Sequence, residues 1–219
     1  MTANLNISMK PLQKSIALLL IGALAACSNM PSQDKSSAEP QKPKNVTLMV
    51  GDGMGFAYLK AYRLFKDKAE TPEIDQTLFD QLLTGAVSTD ANDAVGKVTD
   101  SAAAATTYAT GFKTKNGAVG VDIHDQVLET ALEVASKNNR STGLVSTSRV
   151  VHATPAAFIA HVPSRRQYND IADFFYDNQL NGAPQVDVIL GGGTEYFKRK
   201  DRDLIAEFEQ SGYQHLETL

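Results

Sequence analysis

Asp100-Ser101-Ala102-Ala103-Ala104-Ala105-Thr106 sets a hydroxyl beside a carboxylate at the head of an alanine-rich stretch. Alanine is the strongest helix former, and Asp and Ser are preferred N-caps, so this pattern predicts a helix over 101–109. Gly111 is its expected stop. Small side chains leave room for a substrate group above the helix start. The N–H groups of a first turn and the positive end of its dipole favour a phosphate or a developing alkoxide there. The same residues also read as a plain helix cap, with Asp100 or Ser101 holding an N–H.

Working outward, strand-like and helix-like segments alternate. Val46-Thr47-Leu48-Met49-Val50 is a short apolar β-prone run closed by Gly51-Asp52-Gly53, which predicts a buried strand ending in a tight turn. Helical spacing follows over 55–65, and a second strand is expected over 83–89. An amphipathic helix is predicted over 127–138, with Leu128, Ala131, Leu132 and Ala135 on one face. A third strand is expected over 142–147. Thr154-Pro155 then reads as a helix start, with Thr as the cap and Pro at the first helical position. Another helix is expected over 171–180, a strand over 186–190 closed by Gly191-Gly192-Gly193, and a helix over 204–211. Residues 213–216 would open a fifth strand. Such alternation predicts an α/β fold, a three-layer sandwich around a mostly parallel sheet. A chain ending on this strand leaves the sheet edge uncovered, so the domain at 45–219 is expected to be partial and incomplete at its C-terminus.

The chain has 219 residues, 42% of them hydrophobic and 21% charged, with a net charge of −4. That suits one or two globular domains and gives no electrostatic case for nucleic acid. Lys10 and Lys14 precede an apolar run over 16–26, too short to span a bilayer and followed by Cys27, the sole cysteine. Residues 1–26 therefore resemble a bacterial lipoprotein signal peptide, with Cys27 as the lipidated mature N-terminus. An ordinary signal peptide cleaved after Ala26 is the alternative, and Met9 is an alternative start. One cysteine excludes an intramolecular disulfide. Residues 27–44 are rich in Ser, Pro, Gln and Lys and read as a flexible tether. The expected location is the cell envelope, lipid-anchored to membrane on the periplasmic or outer-membrane face.

Four further residues join Asp100 and Ser101 as candidates. Asp52 lies between glycines at the expected carboxyl end of the first strand, where open α/β sheets place their sites. It reads as a carboxylate metal ligand or as a turn aspartate. Gly51-x-Gly53-x-Gly55 misses the dinucleotide spacing. His152 and Thr154 alternate in an extended segment, so imidazole and hydroxyl can face one metal. They read equally as a loop histidine and a helix cap. Arg165 offers a guanidinium fork suited to two phosphate oxygens, or is merely solvated beside Arg166. His161 is expected to pack or cap, and His124 and His215 are given no role. A serine nucleophile needs a base or a metal, and no G-x-S-x-G elbow is present. Together these residues can divide the work of metal-assisted phosphoryl transfer.

Several segments occur in the order found in alkaline phosphatases. They are Val50-Gly51-Asp52-Gly53-Met54-Gly55, Val98-Thr99-Asp100-Ser101-Ala102-Ala103, residues 117–122, His152-Ala153-Thr154-Pro155-Ala156-Ala157, residues 161–165 and Leu190-Gly191-Gly192-Gly193. Residues 45–217 thus resemble the front portion of that family's chain. The resemblance implies Ser101 as the nucleophile that becomes phosphoserine, Asp52 as a bridge between one zinc and the magnesium, and Thr154 as a magnesium ligand. It implies Arg165 on the phosphoryl oxygens, oriented by Asp100. His152 falls where some members carry Asp and others His, and should weaken or alter the Mg2+ site. Two Zn2+ sites, phosphate monoester substrates and a homodimer are further expectations. The remaining metal ligands belong to a later part of the family's chain, so these 219 residues alone are expected to be inactive or nearly so. A related sulfatase or phosphodiesterase is the alternative enzyme, although such relatives prefer Thr or a modified Cys as nucleophile. A non-catalytic phosphate-binding or remnant surface lipoprotein is the alternative from another class.

Overall fold

A computed structural model describes residues 44–68, 70–92 and 98–217. The expected signal peptide, the lipidation site Cys27 and the tether up to residue 43 lie outside the described residues. The chain divides into two compact units, Met1–Met49 and Val50–Leu219. In the first, residues 44–49 are exposed and carry no strand. None of the described helices is long and apolar enough to cross a membrane.

Three expected strands are not formed. Residues 46–50, 83–89 and 213–216 have no ladder partner among the described residues, and Val46, Met49, Val87 and Leu216 are exposed. Strand propensity measures how a side chain packs on a pleated, half-buried surface. Without a neighbouring strand, an apolar β-prone run has nothing to hold it in that state.

The second unit is mixed α/β. Its described elements are α1 (Phe56–Lys66), α2 (Leu78–Leu82), α3 (Ser101–Thr110), α4 (Ala131–Lys137), β1 (Gly143–Arg149), α5 (Ala153–Ala156), α6 (Tyr168–Asp177), β2 (Gln179–Leu180), β3 (Ala183–Pro184), β4 (Val188–Gly192), α7 (Thr194–Phe197) and α8 (Leu204–Gln210). β1 and β4 pair in parallel, Leu144 opposite Ile189, with an irregularity between Val145 and Arg149. The expected parallel sheet is present as this pair. α5 packs on β1 and on α3, and the core joins Val119, Val151, Ile159, Ile171 and Phe175.

The alanines of α3 serve packing. Ala102, Ala103, Ala105 and Ala109 are buried, which lets the 117–121 segment approach the helix closely. Thr106 Oγ1 stitches that segment on, donating to the Ala118 carbonyl (3.2 Å) and accepting from Gly120 N–H (3.0 Å). Gly111 ends the helix in the left-handed region, φ 79°, as glycine at this position should.

Local chemistry moved two expected boundaries. α4 starts at Ala131 rather than near Val127, because Thr130 and Glu133 form a reciprocal capping box. Val127 instead bridges Val121. α6 ends at Asp177, and the chain turns through Asn181-Gly182, φ 55° and 81°, to pair β2 with β3. Two positive φ values suit an Asn-Gly hairpin turn, a signal not used in the sequence reading.

Gly120 (φ 62°) carries a steric constraint, since an added Cβ would lie 2.1 Å from the Ala160 carbonyl oxygen. At Gly111 the same addition meets nothing within 4 Å. Gly120→Ala should therefore destabilise by at least about 2 kcal/mol, and Gly111→Ala by about 1 kcal/mol. Urea unfolding of the two variants checks this, and equal losses would refute the steric argument.

Candidate active site

Asp100 is the N-cap of α3 and its carboxylate is used three ways. Oδ1 accepts from Ala103 N–H at 3.0 Å. Oδ2 accepts from Gly117 N–H at 3.0 Å and from Arg165 Nη1 at 3.2 Å. The backbone closes the same loop, since Arg165 N–H donates to the Gly117 carbonyl at 2.7 Å. Asn116 joins in, its Oδ1 accepting from Asp100 N–H at 2.8 Å and its Nδ2 donating to the Val98 carbonyl at 3.1 Å.

Ser101 is the first helical residue. Arg165 Nη1 donates to its Oγ at 2.9 Å. Three candidates, Asp100, Ser101 and Arg165, are thus in direct contact across 64 residues of chain. The site is half-buried, with side-chain exposures of 26% for Arg165 and 29% for Asp100. Nη2 and Nε of Arg165 make no hydrogen bond among the described residues and are free for an anion's oxygens. No side-chain base reaches Ser101 Oγ among those residues, and a guanidinium stays protonated, so it cannot act as one.

Asp52 and Thr154 form a second pair. Thr154 Oγ1 donates to Asp52 Oδ2 at 2.8 Å, bridging 102 residues of chain. Thr154 does not cap α5 as expected. His152 is the N-cap, without a side-chain hydrogen bond, and Thr154 is the second helical residue, so its hydroxyl is released to Asp52. Asp52 lies in a turn in which Met54 N–H meets the Gly51 carbonyl at 3.1 Å, not at a strand end. The His152 ring stacks on Tyr168 at 6.4 Å, and Tyr168 packs on Tyr196 at 5.2 Å. His161 is held in a polar cluster with Glu133, and His124 and His215 are exposed.

The donor set bears on metals. Carboxylate and hydroxyl oxygens suit a hard cation such as magnesium, and an imidazole nitrogen does not. A closed zinc site takes four ligands, commonly Cys and His. Among the described residues no group of three or more His, Cys, Asp or Glu is arranged to hold a metal. Asp52 and Thr154 thus bring two oxygen donors together, fewer than a closed metal site takes. Sequence reasoning missed Asn116, and Gly117 entered only as the first residue of the 117–122 motif. Their Asn-Gly pair, a turn signal with φ 84° at Gly117, was the clue available.

An alkaline phosphatase family profile matches residues 43–218. The chain belongs to the alkaline phosphatase family. It is 45% identical to alkaline phosphatase 3 of Bacillus subtilis over 186 residues, covering 85% of this chain and 40% of that protein. Alkaline phosphatase 4 of the same organism is 42% identical over 97% of this chain and 47% of its own length. The chain thus spans less than half the length of these relatives. Among solved structures, a cold-active alkaline phosphatase from a psychrophilic Shewanella aligns with TM-score 0.65 and 46% identity, over 77% of this chain and 40% of that one. A histidine-to-glutamate mutant of the alkaline phosphatase from the Antarctic bacterium TAB5, with magnesium bound in its M3 site, aligns with TM-score 0.65 and 31% identity, over 77% of this chain and 45% of that one.

Asp100→Asn separates cap from charge. Asn caps helices about as well as Asp, and a part-exposed ion pair contributes about 0–1 kcal/mol, so stability should change by less than about 1 kcal/mol. Arg165 loses its carboxylate, so its Nε–H NMR signal should broaden or shift toward that of a free guanidinium. An unaltered signal would show that Asp100 does not orient Arg165.

Proposed function

We propose that the chain acts in the hydrolysis of phosphate monoesters through a phosphoserine formed on Ser101. The observation that carries this is Arg165 Nη1 lying 2.9 Å from Ser101 Oγ and 3.2 Å from Asp100 Oδ2 at the start of α3. A phosphoryl group at the helix N-terminus meets the positive dipole end and the remaining donors of the Arg165 fork. Asp100 orients that fork. Ser101 Oγ attacks phosphorus in line, the ester oxygen leaves, and water later attacks the phosphoserine. Preorganised donors stabilise the charge spread over the equatorial oxygens.

Activation of the hydroxyl is the part these side chains do not provide. Zinc and magnesium, when bound, would supply Lewis-acid activation and charge neutralisation. Asp52 and Thr154 are the oxygen donors this chain would offer, and His152 would weaken the magnesium site because nitrogen suits that ion poorly. Substrate breadth follows from a grip on the phosphoryl group alone. A lipid on Cys27, a place in the cell envelope and a homodimer belong to the same proposal.

A second reading, phosphate binding without turnover, needs only the Arg165 fork at the head of α3 and no activated hydroxyl. One experiment separates the two. The chain is incubated with zinc, magnesium and a phosphomonoester, acid-quenched and mapped by mass spectrometry. Phosphate on Ser101, lost in Ser101→Ala, supports the first reading. Arg165→Ala should then lower kcat/KM by roughly 10²-fold. Phosphate binding with no phosphoserine supports the second, and preferential cleavage of a sulfate ester would overturn both.

A further inference from the structure

A buried polar cluster lies between α4, α6 and the segment that follows α5. Glu133 is its centre. Oε1 accepts from His161 Nε2 at 2.9 Å and from Asn178 Nδ2 at 2.7 Å, and Oε2 accepts from Thr130 N–H at 2.8 Å. The other ring nitrogen of His161, Nδ1, lies 2.8 Å from the Gly120 carbonyl. The two side chains are only 4% and 9% exposed. A carbonyl cannot donate, and both carboxylate oxygens already accept amide N–H groups. Beside an ionised Glu133, both nitrogens of His161 therefore donate, which makes the ring an imidazolium.

Gly120 is one end of a short strap that reaches the active site. Val119 and Val162 exchange backbone hydrogen bonds at 3.0 and 2.9 Å. Three residues before Gly120, Gly117 donates to Asp100 and accepts from Arg165. His161 lies four residues before Arg165 on the opposite strand of this strap. We propose that His161 is a positioning residue for Arg165. By donating from both nitrogens, it ties Gly120 to Glu133 and holds the strap that carries the Asp100–Arg165–Ser101 contact. The role given to Arg165 rests on the function proposed above. The link from His161 to Arg165 rests on the geometry alone.

A neutral ring has one N–H, so it would leave the Gly120 carbonyl or the Glu133 carboxylate facing a lone pair. Glu133 is the titratable group that meets His161 from α4, Asn178 at the end of α6 supplies the neighbouring amide, and Phe174 packs against the ring at 5.6 Å. Burial opposes the ring's charge, yet the Glu133 hydrogen bond, the Gly120 carbonyl and the Glu133 charge together raise its pKa above 6.5. Burial likewise opposes the Glu133 charge, and the bonds from His161, Asn178 and Thr130 bring its pKa down from 4.5 to about 2. The histidine's contribution to stability is thus fully present below 6.5 and lost as pH rises through its folded value. The glutamate's is present above 4.5 and lost as pH falls toward about 2.

The test uses the full 15N-labelled chain. Imidazole nitrogen shifts of His161 and amide exchange at Gly117 and Arg165, corrected for intrinsic rates, are followed from mildly acidic to alkaline pH. Both ring nitrogens should be protonated at neutral pH. Exchange at the two amides should rise about tenfold as the ring titrates, while amides in α8 stay unchanged. Glu133→Gln should move that transition to lower pH and weaken binding of inorganic phosphate by a similar factor. The unmodified protein decides the matter even where the variant does not fold. A ring that is neutral at neutral pH, or exchange at Gly117 and Arg165 that ignores its titration, overturns the proposal. Wild-type protein that binds no phosphate would sink the role given to Arg165, and the amide exchange would still decide the role of His161.

Discussion

The Asp100 carboxylate caps the start of a helix, anchors a glycine turn and faces an arginine, and the geometry around Ser101 follows from serving all three. Ala103 fixes one oxygen, so the other is aimed where Gly117 and Arg165 arrive. Magnitudes rank these uses. A helix cap contributes about 1 kcal/mol, whereas a part-exposed ion pair contributes between about 0 and 1 kcal/mol. Asp100 would therefore be a sound structural residue with no arginine present. Its contact with Arg165 is better understood as aim than as stability.

The second pair follows a different logic. The hydrogen bond from Thr154 to Asp52 joins two exposed or half-buried oxygens and brings no nitrogen or sulfur donor with it. Hard oxygen ligands fit magnesium, and a closed zinc site would need further donors. A chain covering 40–47% of two Bacillus subtilis alkaline phosphatases carries this oxygen pair beside the contact of Arg165 with Ser101 and Asp100.

Glu133 and His161 form a third polar pair. It is more enclosed than the site itself, and buried charges of this kind persist only when every donor and acceptor is matched. Removing one partner would leave the other uncompensated, which explains why the ring faces acceptors on both sides.

Much of the site was legible in the amino-acid chain because its signals are local. A cap beside alanines, a Gly-Asp-Gly turn and an ordered set of short motifs named Asp52, Asp100, Ser101, His152, Thr154 and Arg165 as candidates. Helix existence at α1, α3, α6 and α8 was local too. Three strands were misjudged because a strand is defined by its partner, which no local run contains. The sequence allows Thr154 to cap a helix or to face a metal, and only the fold shows its hydroxyl turned to a carboxylate 102 positions away. Asn116 and Glu133 were not singled out, and Gly117 and His161 entered within short motifs. Their meaning lies in hydrogen bonds across 16 to 48 residues of separation, and such distances are closed only by packing. The sequence by itself determined which groups could do chemistry. The tertiary structure decided which of them touch, because a hydrogen bond extends about 3 Å and folding alone brings distant residues within it.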